Sequence, residues 1–253
     1  MTRVFPLSIF PSLFFHSVAQ AASLTVFCSG GMYPVIDALK PDYQKKTGDD
    51  IHLVAAPSMG NTPEAIPRRL AEQQPADVLA MVDYAIKPLE KQQQVISDTH
   101  RVLAHSWIAL AVKQGAEVPD ISTLPRFKQV LLEAKSIAYS DSASGRYISN
   151  TLFKKLGIEA QVKNKSFTVA GTPVGKALAE DKADIGFQQN SELRAVKGIT
   201  VVGFIPQEVQ QDTLYGAVVT QSSQNKKAAQ AFIQFLASDR AKNVMREKGL
   251  SPL

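Results

Sequence analysis

Leu24-Thr25-Val26-Phe27-Cys28-Ser29-Gly30-Gly31-Met32 (LTVFCSGGM) is an apolar run that ends in a Ser-Gly-Gly turn, with a helical pattern starting at Met32. Such a run reads as a buried strand. Paired glycines at a strand-to-helix junction let backbone N–H groups come close to a ligand, and the new helix aims its positive end at the same point. Three uses of the turn compete: a phosphate cradle, a nucleophile site at Cys28 or Ser29, or a seat for another small anion.

The surrounding residues weigh against the first two. A P-loop needs Gly-Lys-Ser/Thr after its glycine-rich stretch, and a dinucleotide site needs three spaced glycines and a later acid; neither follows Ser29. A Gly-x-Ser-x-Gly elbow is absent, and beyond the first residues the histidines are His52, His100 and His105. Cys28, ending a buried strand, reads as packing rather than as a nucleophile. No pair of histidines or cysteines has metal-ligand spacing, so neither a metal nor an organic cofactor is expected.

The first residues read as an export signal. Arg3 begins it, Val4 to Val18 is largely apolar without an acid, and Ala19-Gln20-Ala21 carries small residues where a signal peptidase reads. Cleavage after Ala21 and a periplasmic mature chain are therefore expected, with residues 1–21 as signal peptide. About 230 residues remain, enough for one large or two modest domains with real cores. One cysteine cannot form an internal disulfide. The formal charge of +5, of which Arg3 supplies one, is scattered in short pairs such as Lys45-Lys46 and Arg68-Arg69. Nucleic-acid binding needs a denser stripe; a small anionic ligand fits better.

Apolar runs alternate with amphipathic stretches along the chain, which predicts an α/β protein with largely parallel sheets. Strands are expected at 24–28, 51–56, 78–81, 107–112, 136–139, 166–169, 185–187, 200–204 and 215–219. Helices are expected at 32–47, 62–73, 86–92, 147–156, 174–179, 191–196 and 226–248. Four strand-to-helix junctions are rich in Ser, Gly and Thr: Ser29-Gly30-Gly31, Ser58-Met59-Gly60-Asn61-Thr62, Ser140 to Tyr147, and Gly171-Thr172-Pro173. Each alone is an ordinary helix cap. Four of them converging on one cleft would form an anion site.

In order and spacing, several segments resemble the periplasmic solute-binding proteins of the molybdate-binding type. They are LTVFCSGGM, Pro75-Ala76-Asp77-Val78 leading to Asp83, Lys154-Lys155-Leu156-Gly157, Asp184-Ile185-Gly186-Phe187, Ala228 to Leu236, and Glu247-Lys248-Gly249-Leu250. The resemblance covers nearly all of the chain after the signal. It implies the type 2 binding-protein fold, two Rossmann-like α/β lobes joined by a two-strand hinge that closes on a small anion. Lobe one would comprise 22–101 plus 214–253 and lobe two 102–213, with hinge residues near Val102 to His105 and Gln211 to Tyr215. A monomer that delivers its ligand to an ABC transporter is implied as well.

Carried onto this chain, the resemblance implies ligand contacts from Ser29, Gly30, Gly31, Ser58, Ser144, Gly145, Arg146, Val174, Gln189 and Asn190. It also shows departures. A glycine, Gly31, stands where the family has its first serine, Gln189 stands where it has a tyrosine, and Arg146 follows the third loop. A guanidinium fork suits a carboxylate, and a glycine at 31 leaves room for a larger ligand. The expected ligand is a di- or tricarboxylate, with molybdate or another oxyanion as the alternative. The family also includes an aconitate isomerase, so cofactor-free cis-trans isomerisation on the same scaffold stands beside simple binding. Ser29 and Tyr147 are then the candidate catalytic groups, with Tyr33 and Asp83 also near the expected cleft.

Overall fold

The computed structural model describes residues 21–253, so the expected signal peptide lies outside the described residues except for Ala21. Eleven strands follow in chain order: β1 (Ser23–Cys28), β2 (Asp50–Ala55), β3 (Val78–Val82), β4 (Arg101–Ser106), β5 (Ile108–Lys113), β6 (Ile137–Ser140), β7 (Ser166–Val169), β8 (Ile185–Gln189), β9 (Ile199–Phe204), β10 (Thr213–Val219) and β11 (Ser251–Pro252). They build two sheets, β11-β4-β10-β3-β1-β2 and β7-β6-β8-β5-β9. The chain crosses from the first to the second at Trp107 and returns between β9 and β10.

Both sheets are covered by helices on two faces, as their alternating side chains require. In β1, Leu24, Val26 and Cys28 pack with Val35, Ile36 and Leu39 of helix Tyr33–Thr47. Phe27 points the other way, into a cluster with Ile66, Leu79 and Met81. The same alternation divides the second sheet. Ile108, Leu110 and Val112 join the Phe127 and Phe187 cluster, whereas Ala109 and Ala111 pack with Val174 and Leu178. Pro34 starts the first helix, and Gly48 ends it at φ 81°, where its N–H reaches the Gln44 carbonyl.

Several elements depart from the sequence pattern. The sheets are mixed rather than largely parallel: β1–β2, β1–β3, β6–β7 and β6–β8 are parallel, while β10 runs against β3 and β4, and β5 against β8 and β9. The strands adjoining the crossings between lobes, β4, β5, β9 and β10, take part only in antiparallel pairs. The helix expected at 226–248 is two helices, Lys226–Leu236 and Asp239–Glu247. Ser238 breaks it, and its Oγ accepts the Ala241 N–H to cap the second. The helix expected from Tyr147 begins at Ala143 and passes through a wider turn at Ile148–Leu152. Helix Leu124–Glu133 was not among the expected elements, although Phe127 and Leu131 bury at helical spacing.

Lobe one closes over its C-terminal helices, where Tyr43 meets the Phe232 ring edge to face at 4.9 Å. Phe232 is fully buried, so Phe232→Ala is expected to cost about 3–5 kcal/mol of unfolding free energy in a urea titration. A loss below about 1 kcal/mol would contradict this account of the core.

Candidate functional site

A cleft of about 260 Å³ lies between the two sheets, at the carboxyl ends of their parallel strands, where open α/β sheets bind ligands. Ser29, Gly30 and Ser58 line it from lobe one. Ser140, Ser144 and Gln188 line it from lobe two, and Tyr215 reaches it from β10. The first three junctions singled out in the sequence, together with Gly171-Thr172-Pro173 of the fourth, meet here.

Hydroxyl groups dominate the walls. Ser29 Oγ is buried and has no hydrogen-bond partner among the described residues. It lies beside the Tyr215 hydroxyl, whose acidity it slightly increases, without the alignment of a hydrogen bond. Ser58 Oγ accepts the Val82 N–H at 2.9 Å, which leaves its own proton free to donate. Ser144 and Ser140 hydroxyls lie 3.2 Å apart, and the Gly145 N–H reaches Ser140 Oγ at 3.3 Å.

Glu192 is the group that the sequence reading missed. It sits in the first turn of helix Asn190–Arg194, lines the cleft, and accepts a 2.5 Å hydrogen bond on Oε2 from Gln188 Nε2. Gln188 is held in turn, because its Oε1 accepts the Val174 N–H at 2.9 Å. Protein surrounds the Glu192 carboxyl although the side chain keeps some exposure to the cleft. Desolvation pushes its pKa up to about 8, against a small opposing effect of the Gln188 hydrogen bond. Burial, and next the Glu192 charge, also raise Tyr215 and Cys28 well above their ordinary values, so both stay protonated at neutral pH.

The double glycine is explained by these two side chains. A Cβ at Gly30 would stand 2.8 Å from Glu192 Cδ and overlap its Oε2, and a Cβ at Gly31 would stand 2.8 Å from Tyr215 Cε2 and overlap its hydroxyl. The room expected at Gly31 for a larger ligand is therefore occupied by Tyr215, and Gly31 itself does not line the cleft.

Other expected residues make hydrogen bonds within the protein. Gln189 lines the cleft, yet its amide spans the two crossing strands: Oε1 accepts from Ser106 Oγ at 2.7 Å and Nε2 donates to Thr213 Oγ1 at 3.1 Å. Asn190 Nδ2 donates to the Gly249 carbonyl at 3.1 Å, joining lobe two to the C-terminal segment of lobe one. Val174 spends its N–H on Gln188. Tyr147 donates its hydroxyl to the Val209 carbonyl at 2.6 Å, and Asp83 faces His100 at 2.7 Å; neither lines the cleft. Burial raises the pKa of Asp141 and Tyr84, and Arg146, exposed just beyond the lining, is near enough to oppose the rise in each. Tyr33 lines a neighbouring cavity. No residue type announces Glu192 in the sequence; Gly30, which accommodates its carboxyl, was the available signal.

The sequence matches the family model described as bacterial extracellular solute-binding protein over residues 24–251. It is 46% identical over 231 residues to an aconitate isomerase of a Pseudomonas species, covering 91% of this chain and 88% of that one. Among solved structures, the Azotobacter vinelandii periplasmic molybdate-binding protein superposes with a TM-score of 0.72 at 18% identity, covering 90% of this chain and 98% of that one. The sulfate-binding protein of Mycobacterium tuberculosis gives 0.70 at 18% identity, over 92% and 87%. These two structural likenesses establish a shared fold.

Two outcomes test this geometry. An unfolded chain releases the Glu192 proton near 4.5, whereas the folded chain keeps it to about 8. Across that window the folded state binds more protons, so this residue's contribution to stability falls as pH rises. The melting temperature of Glu192→Gln is accordingly expected to gain on the unaltered protein between pH ~5 and pH ~8; a constant difference would refute the raised pKa. Gly31→Ser is expected to lose about 1–3 kcal/mol in chemical denaturation, because the added atoms collide with Tyr215.

Proposed function

We propose that this chain, which belongs to the bacterial extracellular solute-binding protein family, closes its interlobe cleft on a tricarboxylate and moves one allylic proton, interconverting cis- and trans-aconitate. The observation that carries this reading is the Glu192 carboxyl set into the cleft wall. A seat for a compact oxyanion works with neutral donors alone and gains nothing from a carboxyl group. A proton-transfer site requires a group whose pKa lies near the working pH, as that of Glu192 does. The name of the Pseudomonas relative points to the same reaction.

In this mechanism the ionised Glu192 takes a proton from the methylene carbon of bound aconitate. The electron pair of the broken C–H bond spreads through the adjacent double bond into a conjugated carboxylate, giving a dienolate-like anion. Glu192, now protonated, returns the proton at the opposite end of the three-carbon unit, and the double bond shifts. The Tyr215 and Ser29 hydroxyls donate hydrogen bonds to the developing charge. The first N–H groups of the helix starting at Ala143 add to them, since a helix start leaves such donors without intrahelical partners. Gln188 aims the base, and Arg146 at the rim attracts the anion. Ligand-dependent closure would bend the crossings near Trp107 and Gln211, with Gln189 tying them together. The same reading puts the mature chain in the periplasm after cleavage behind Ala21.

Incubation of the mature protein with trans-aconitate, followed by NMR, is expected to yield the cis isomer. Glu192→Gln should reduce turnover by about 10²–10⁴-fold while still binding tricarballylate. The kcat/KM of the unaltered protein should rise with pH through about 8, and this titration should vanish in the variant. Full activity of Glu192→Gln would refute the role of the base. Tight binding without turnover would favour a carrier that hands its ligand to an ABC transporter, and a thermal shift with molybdate alone would overturn the carboxylate assignment.

A further inference from the structure

The cleft does not end at Glu192. A second cavity of about 620 Å³ opens on its far side, and Gly30, Ala55, Pro173 and Glu192 line both spaces. The contact between the Glu192 carboxyl and Gly30 is therefore part of a partition between an inner chamber and an outer vestibule. Their charges differ. The ionisable carboxyls on the inner wall are Glu64, Asp141 and Glu192; no Lys or Arg is part of that wall, and Arg146 stands near Asp141 just outside it. The vestibule carries Lys176 and Lys197, and neither forms an ion pair among the described residues. Its acids are Glu192 and Glu180; Glu180 is engaged by Lys182 at 2.6 Å, and the Lys176 charge also acts on it more weakly, without an ion pair.

A tricarboxylate brings three negative charges to a chamber that holds hydroxyls, backbone donors and acids. Hydrogen bonds from neutral donors can orient such a ligand, yet they leave most of its charge uncompensated in a partly desolvated space. The cations that share a wall with the chamber are in the vestibule, across a partition made of a glycine, an alanine, a proline and the Glu192 carboxyl. Tyr33 adds a hydroxyl on the same side.

We propose that the vestibule between Gly30 and Lys197 is a carboxylate subsite, in which Lys176 and Lys197 hold one carboxylate of a polycarboxylate ligand whose remainder occupies the inner chamber. This rests on the tricarboxylate reading given above and extends it to specificity. A compact oxyanion fits within the chamber and gains nothing from the lysines, whereas a longer polyanion spans the partition and gains a charge-assisted contact. Glu192 then lies between the two portions of the ligand, beside its three-carbon unit.

The test is calorimetric binding of tricarballylate, a saturated tricarboxylate that cannot be isomerised, together with the KM for trans-aconitate. Lys176→Gln/Lys197→Gln is expected to weaken tricarballylate binding about tenfold and to raise KM in parallel. Lys87→Gln/Lys91→Gln, which removes the same charge from an exposed helix of lobe one, should change affinity less than about twofold. Lys176→Arg/Lys197→Arg should retain most of the affinity. Equal losses in the two glutamine pairs would reduce the effect to net charge and overturn the subsite, as would unchanged binding in the vestibule pair. Because binding is read without turnover, an inactive protein that still loses tricarballylate in the vestibule pair refutes the isomerase reading and keeps the subsite. Absence of tricarballylate binding in the unaltered protein overturns both.

Discussion

The approach of Glu192 to Gly30 is the contact on which the site depends. It joins a helix of lobe two to the first turn of lobe one, and a methyl group at position 30 would push the carboxyl out of its present place. Gly30 stands opposite the carboxyl, so the acid enters a tight space with one hydrogen bond, from Gln188. Its pKa is raised by burial, against the smaller opposing effect of that hydrogen bond. Tyr215 exploits the second glycine in the same way, and two adjacent small residues thus admit an acid and a hydroxyl to one end of β1.

Around this contact, polar side chains that look alike in the sequence divide into two roles. Gln188 orients the acid, while Gln189, one residue on, spans both crossing strands. Alternation along a strand sends them to opposite sides, so neighbours in the chain serve the site and the scaffold separately. Asn190 then fastens the same segment to Gly249. A short stretch at the end of β8 in this way couples the acid, the two crossings and the C-terminal segment.

Charge is distributed unlike the simple expectation of an arginine gripping an anion. Arg146 is at the rim, and the chamber wall carries carboxyls and hydroxyls. A hydroxyl-lined seat with one neutralised acid tolerates an anion because the acid keeps its proton below about pH 8 and donates rather than repels. Burial thereby removes, below about pH 8, a charge that would oppose an anionic ligand.

The sequence by itself determined the α/β class, the buried strand at Leu24 to Cys28 and the four Ser/Gly/Thr junctions, because hydrophobic periodicity and turn chemistry are local properties. The order of its segments was enough for the family resemblance that the family match then established. Strand direction near the crossings, the break at Ser238 and the starting point of the helix at Ala143 depended on how distant segments pack, and local pattern misread them. The same holds at the site. Ser29, Gly30, Ser58, Ser144 and Gln189 could be named from the chain, and all line the cleft. Tyr147, Val174 and Asn190 do not line it and make hydrogen bonds to Val209, Gln188 and Gly249. Glu192 was invisible, since a glutamate in a short polar segment resembles any solvated acid until folding surrounds it with protein. The tertiary structure alone decided its burial, its partner and its place against Gly30, because desolvation and close approach are set by residues remote in the chain.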